Sequence, residues 1–120
     1  MPRNTGPGLA QSWRTKLGRY LSIKARVAAG VKLLDELCPG WELHIVLPKL
    51  HLASPLYCVL GQLFGTYGGG RDYLEANPPE GYDLDGVSWG SRFGFLLLAH
   101  EASKYPYLTR AWKKAIREHE

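Results

Sequence analysis

The sequence predicts a mainly α, single compact domain of four or five helices, with at most one short strand or hairpin near residues 41–52. Three observations carry that expectation. Apolar residues recur at spacings of three and four over residues 9–37 and again over 108–116, the period of a helix with one buried side. Ser54-Pro55 and Gly68-Gly69-Gly70 read as start and stop signals around a further helical stretch. At 120 residues, 45% of them apolar, the chain buries roughly two-thirds of its unfolded surface, enough for one core and one site.

The elements follow in order. Residues 1–8, with two Pro and two Gly, suit a flexible N-terminal arm, and residues 9–120 form the helical domain. Leu9, Trp13, Leu17, Tyr20, Leu21, Val27, Val31 and Leu34 make the first helical stripe. Gly18 and Gly30 each weaken a helix interior by about 1 kcal/mol, so two helices or one kinked helix fit as well as a single rod. Cys38-Pro39-Gly40 ends the stretch. Residues 41–47 alternate imperfectly and include Ile45 and Val46, a short strand bounded by Pro48. Ser54 as N-cap and Pro55 at the first helical position start the next helix, whose stripe is Leu56, Leu60, Leu63, Phe64 and Tyr67. Cys58, Gly61 and Gly65 fall within about 60° on its other side, a ridge of small groups open to a second backbone. The glycines at 68–70 close that helix, and residues 71–77 add one turn before Pro78-Pro79. Residues 78–91 read as an ordered loop. Residues 92–104 read as a buried helix, or as a strand through 95–99, with length favouring the helix. In the last helix Leu108, Trp112, Ala115 and Ile116 line one side and Arg110, Lys113, Lys114 and Arg117 the other.

Charge is segregated. The net charge is +4, yet residues 1–32 hold seven bases and no acid, whereas residues 33–102 hold nine acids against Lys49, Arg71 and Arg92. Basic ends around an acidic middle imply either internal pairing or a positive surface built from both termini. Two cysteines are too few for a disulfide scaffold, and residues 1–8 lack the apolar core of a secretory signal, so a reducing, cytoplasmic setting is expected. The longest apolar run, residues 93–99, is far below the roughly 20 residues of a membrane span. No membrane partner is expected.

Each candidate for chemistry has a plainer reading beside it. Gly86-Val87-Ser88-Trp89-Gly90 matches the nucleophile-elbow pattern, with His100 as nominal base, but residues 77–85 are no buried strand and the chain is too short for the sheet that carries an elbow. Cys38, His44, His51 and Cys58 are zinc-type ligands, but the close ligand pairs of structural zinc sites are missing, so neither metal nor cofactor is expected. The cysteines read as small buried apolar groups. Cys58 in the first turns of a helix invites comparison with an activated thiol, yet nothing in the sequence places a base beside it. Gly68, Gly69, Gly70 and Arg71 suit an anion, without the Gly-Lys-Ser/Thr of a phosphate loop, and read equally as a helix end. Glu80, Asp83 and Asp85 are out of phase for a calcium loop. Lys16, Arg19 and Arg26 share a helical side, and with Arg110, Lys113, Lys114 and Arg117 they make the basic faces on which a partner is expected.

Pro39-Gly40-Trp41, Leu50-His-Leu-Ala-Ser54 and Cys58-Val-Leu-Gly-Gln-Leu-Phe-Gly65 followed by Tyr67 resemble a family of small uncharacterised proteins encoded by actinobacteria and their phages. Tyr107-Leu-Thr-Arg-Ala-Trp112 looks like that family's closing helix. The resemblance covers residues from about 30 to 70 and the last fifteen, while residues 83–104 depart from the pattern. It implies a host–phage or mobile-element setting and a cytoplasmic address, and carries no activity. The expectation is a non-enzymatic interaction protein binding a host protein or itself through exposed helical faces. A nucleic-acid-binding accessory protein is the alternative, and a small Cys- or Ser-dependent hydrolase the third class.

Overall fold

The computed structural model describes residues 22–84 and 89–119. The arm at 1–8, the stripe from Leu9 to Leu21, Lys16, Arg19 and Ser88 of the elbow pattern lie outside them. Among the described residues the chain is mainly helical and forms no strand.

The first helix, α1, is Ile23–Leu37. Ser22 caps it, its hydroxyl accepting from the Ala25 N–H at 3.1 Å. Ser22 itself is extended, so α1 starts there. Gly30 neither kinks nor ends α1. It sits where a Cβ would lie 2.2 Å from the Phe93 carbonyl oxygen and 2.9 Å from the Trp112 ring, so the glycine permits a close approach.

The strand expected near 41–52 is replaced by two 3-10 turns, Trp41–His44 and Leu47–Lys49. Ile45 and Val46 between them are extended, but the side chain of Gln62 takes the place of a partner strand: Val46 N–H donates to Gln62 Oε1 at 2.7 Å, and Gln62 Nε2 donates back to the Val46 carbonyl at 3.4 Å. The Ser54-Pro55 signal makes a turn, with the Ser54 hydroxyl accepting from Leu56 and Tyr57 N–H. The regular helix α2 begins later, at Val59–Phe64, because Cys58 is extended and caps it through Sγ, 3.3 Å from the Gly61 N. Leu56, the first residue of the predicted stripe, is therefore exposed, as is Tyr57. At Gly61 the small-residue ridge is filled from within the chain, since a Cβ there would meet the Pro55 and Leu56 carbonyls at 2.5 and 2.6 Å, whereas the space beside Gly65 is open.

Gly65, at φ 97°, ends α2. Thr66 then caps α3, Tyr67–Ala76, its Oγ1 accepting from Gly69 N–H at 2.9 Å. Gly68, Gly69 and Gly70 thus open a helix, where the sequence reading has them close one. The absent side chain at Gly70 lets α3 lie against α2: a Cβ there would be 2.8 Å from the Phe64 ring and 3.0 Å from Leu60 Cβ.

Residues 92–104 are not one helix. A single turn, α4 (Trp89–Arg92), stops before Gly94, whose φ of 72° turns the chain down onto the backbone of α1 at Arg26 and Val27. The apolar run that follows threads the core, burying Phe95 and Leu97. The Tyr105 hydroxyl accepts from Leu97 N–H at 3.0 Å and donates to the Leu97 carbonyl at 3.3 Å, doing for Leu97 what Gln62 does for Val46. A 3-10 segment, Ala99–Lys104, leads into α5, Tyr105–Arg117, which matches the predicted closing helix.

The core gathers between α1 and α5 around Trp41, Trp89, Phe95 and Trp112. Phe95 stacks on Trp112 with centroids 5.6 Å apart, and Trp41 meets Trp112 edge-on at 6.0 Å. Each buried indole N–H has an acceptor: Trp112 on the Gly94 carbonyl, Trp41 on Asp35 and Trp89 on Glu75. No helix of the described residues is long and apolar enough to cross a membrane.

Candidate functional site

Leu108, Trp112 and Ile116 lock α5 into the core and so fix its rotation. With that side buried, Tyr107, Arg110, Ala111, Lys114 and Ala115 line a trough against Lys24, Val27 and Ala28 of α1. The trough measures about 420 Å³ and is partly open to solvent. Its floor is made of methyl groups, from Ala28, Ala111 and Ala115 with Val27 beneath. Its rim is charged, and among the described residues Lys24, Arg110 and Lys114 stand there against one carboxylate, that of Glu118. The Arg110 guanidinium lies 5.8 Å from the centre of the half-exposed Tyr107 ring, a cation–π distance. Lys114 Nζ is 3.6 Å from Glu118 Oε2, and both side chains are mostly exposed, so this pair is weakly held.

The predicted basic faces separate into three groups. Arg110, Lys113, Lys114 and Arg117 lie along the sides of α5 that face away from the core, and among the described residues no carboxylate of the acidic middle pairs with them. Lys16 and Arg19 fall outside the described residues. Arg26 is a correction: it is buried and forms a two-toothed ion pair with Glu101, Nη1 to Oε1 at 3.2 Å and Nη2 to Oε2 at 2.7 Å, with Nη1 also donating to Ser91 Oγ. That guanidinium holds the Glu101 carboxyl below the usual carboxylate range. Arg26 is a structural cation tying α1 to the 3-10 segment, unavailable to a partner. Lys24, which the sequence reading leaves unplaced, takes a rim position instead.

The anion candidate at 68–71 has its groups committed locally. Gly69 N–H serves the Thr66 cap, Gly70 N–H bonds the Thr66 carbonyl, and Arg71 pairs with the adjacent Asp72 at 3.2 Å. Of the nucleophile candidates, Ser88 lies outside the described residues and Cys58 is shielded. Cys58 is 2% exposed, and burial pushes its thiol up, away from the thiolate that nucleophilic chemistry needs. Cys38 is half-buried, and its thiol is raised by burial and by the Asp35 carboxylate. Beside Cys58, a hollow of about 180 Å³ is walled by Leu52, Phe95, Tyr105 and Tyr67, whose phenol burial pushes up to about 12. His44, His51 and His100 are exposed. Among the described residues no three His, Cys, Asp or Glu side chains group as a metal-ligand set.

One cluster has no signal in the sequence. His119 Nε2 donates to Asp35 Oδ1 at 2.6 Å, and the same oxygen accepts from Trp41 Nε1 at 2.8 Å. His119 Nδ1 lies 3.2 Å from Glu42 Oε2, within charge attraction but not aligned for a hydrogen bond, and the ring meets Trp41 edge-on. The bond to Asp35, reinforced by both carboxylates, raises the imidazole above its ordinary value. The partners are 84 residues apart, so no local pattern announces the clasp.

No protein-family model, curated protein or solved structure matches the chain.

Proposed function

We propose that this chain is a small non-enzymatic interaction protein that seats a segment of a partner protein in the trough between α1 and α5. The observation that carries the reading is the pairing of an apolar, methyl-floored trough with a charged rim and an exposed Tyr107, the composition of a docking site: apolar centre, polar edge, aromatic anchor. The buried Cys58, its thiol pushed up by burial, weighs against the Cys-dependent hydrolase. On the resemblance at 58–65, the partner belongs to a host cell, with a second copy of the chain as the other protein occupant.

The test is site-directed. A photo-crosslinking amino acid at Ala111, on the trough floor, captures one protein species from a host lysate, while the same group at Tyr73 on α3 does not. Equal capture at both positions, or none at Ala111, overturns the reading. A second reading, nucleic-acid binding, is favoured by the four cations Arg110, Lys113, Lys114 and Arg117 along α5. It requires DNA binding that weakens steeply with salt and falls on reversing Arg110, Lys113 and Lys114 to Glu. No binding at low salt removes it.

A further inference from the structure

We infer that the partner segment is an acidic amphipathic helix of about three turns, with carboxylates four residues apart on one flank. The inference rests on the docking role proposed above and adds the chemistry of the occupant.

Shape comes first. The trough runs between two helices, and from Tyr107 to Glu118 it follows α5 for about 16 Å, three turns of a helix laid alongside. Ala28, Ala111 and Ala115 offer no more than a methyl each, so a third helix can approach closely and set its apolar side chains against Val27 and the alanines. A partner therefore carries apolar residues at i, i+3 or i+4, and i+7.

Charge then selects the sign. Arg110 and Lys114 are one turn apart on α5, and Lys24 stands across from them on α1; among the described residues of the lining only Glu118 carries the opposite charge. Carboxylates at i and i+4 on a partner helix match the first two, and one on its opposite flank meets Lys24. The same charges argue against two occupants close at hand. Residues 1–21 carry Arg3, Arg14, Lys16 and Arg19 and no acid, so laying that segment in the trough sets like charges together. A second copy presenting its own α5 across a two-fold axis meets the same repulsion.

The test uses the full chain and three fluorescent synthetic peptides of about four helical turns. One has Leu at the apolar positions and Glu on both flanks; the second has Lys for Glu; the third scrambles the first. The acidic amphipathic peptide is expected to bind about ten-fold or more tightly than either control. Lys24→Glu, Arg110→Glu and Lys114→Glu together are expected to reverse the preference toward the Lys peptide, and Ala111→Trp to abolish binding by filling the floor. Far-UV circular dichroism establishes that each surface variant is folded. Equal binding of the Glu and Lys peptides overturns the inference and leaves the docking role standing. Equal binding of the scrambled peptide, or displacement by single-stranded DNA at equal concentration, means that the trough answers to any polyanion and also overturns it. A crosslink from Ala111 into residues 1–21 of the same chain, or into a second copy, overturns it in favour of a self-occupied trough. If Ala111 captures a host protein but no acidic peptide binds, the inference alone fails; if neither occurs, both fail.

Discussion

Replacing Gly30 with alanine is expected to destabilise the protein even though alanine is the better helix former. On propensity alone, the change in the middle of α1 gains about 1 kcal/mol. The structure sets a larger opposing term. The added methyl would lie 2.2 Å from the Phe93 carbonyl oxygen and 2.9 Å from Trp112, well inside an ordinary carbon contact of about 3.5 Å. Neither neighbour is free to retreat. The Phe93 carbonyl precedes Gly94, which itself sits against the α1 backbone, and Trp112 is fully buried with its N–H bonded to the Gly94 carbonyl at 2.6 Å. Relief requires α1 and α5 to separate at the centre of the core, and overpacking of this kind typically costs 1–3 kcal/mol or more. With the cost in the upper half of that range, we expect Gly30→Ala to lose about 1–2 kcal/mol net in urea denaturation, and to lower the melting temperature by several degrees. Gly68→Ala is the internal control: it lies in the first turns of α3 with nothing within 4 Å of its Cβ, so the same substitution there should stabilise by about 0.5–1 kcal/mol. A Gly30→Ala protein as stable as the parent would refute the packing of α1 against residues 93–94 and α5.

Three further predictions concern titrating and reactive groups. Because His119 has a raised value in the fold, its contribution is fully present below about pH 6.5 and is lost as pH rises through the folded-state value, so His119→Gln should destabilise at pH 5.5 and converge on the parent in alkaline buffer, measured by chemical denaturation. Glu101 has the opposite sign: its lowered value gives stability above about pH 4.5 that disappears as pH falls through the folded-state value, and Glu101→Gln, which leaves the buried Arg26 guanidinium short of a partner, should cost roughly 3 kcal/mol at neutral pH. The double variant Arg26→Met with Glu101→Leu should be the milder one, and an equal or greater loss would mean that the pair is not the reason for the cost. Iodoacetamide should modify Cys38 in the native protein and Cys58 only at the rate of unfolding, as read by mass spectrometry; rapid native labelling of Cys58 would restore it as a nucleophile.

What was legible in the sequence was whatever a single helix decides for itself. The stripe of Leu108, Trp112, Ala115 and Ile116 defines α5 and its buried side, and the helical class follows from such stripes. Local punctuation misled wherever a tertiary contact gave a glycine another task. Gly68, Gly69 and Gly70 look like a terminator, yet Gly70 is small because Phe64 and Leu60 press on it, and Thr66 supplies the cap that starts α3. Residues 95–98 look like helix or strand because they are apolar throughout; they are neither, because Tyr105 meets the backbone needs of Leu97. For the candidate site, periodicity put Arg110 and Lys114 on the outer sides of α5, but the trough also needs Lys24 and Ala28 from a helix about 80 positions earlier. Arg26 shows the same limit: its spacing suits a basic face, and only the fold reveals Glu101 beside it.

The clasp at His119 bears on how the molecule is handled. The His119 ring is wedged between Asp35, Glu42 and the indole of Trp41. Loss of the charge on that ring in alkaline buffer is felt at the same tryptophan that supports Trp112, so buffer pH is a condition to fix whenever the protein is stored or assayed.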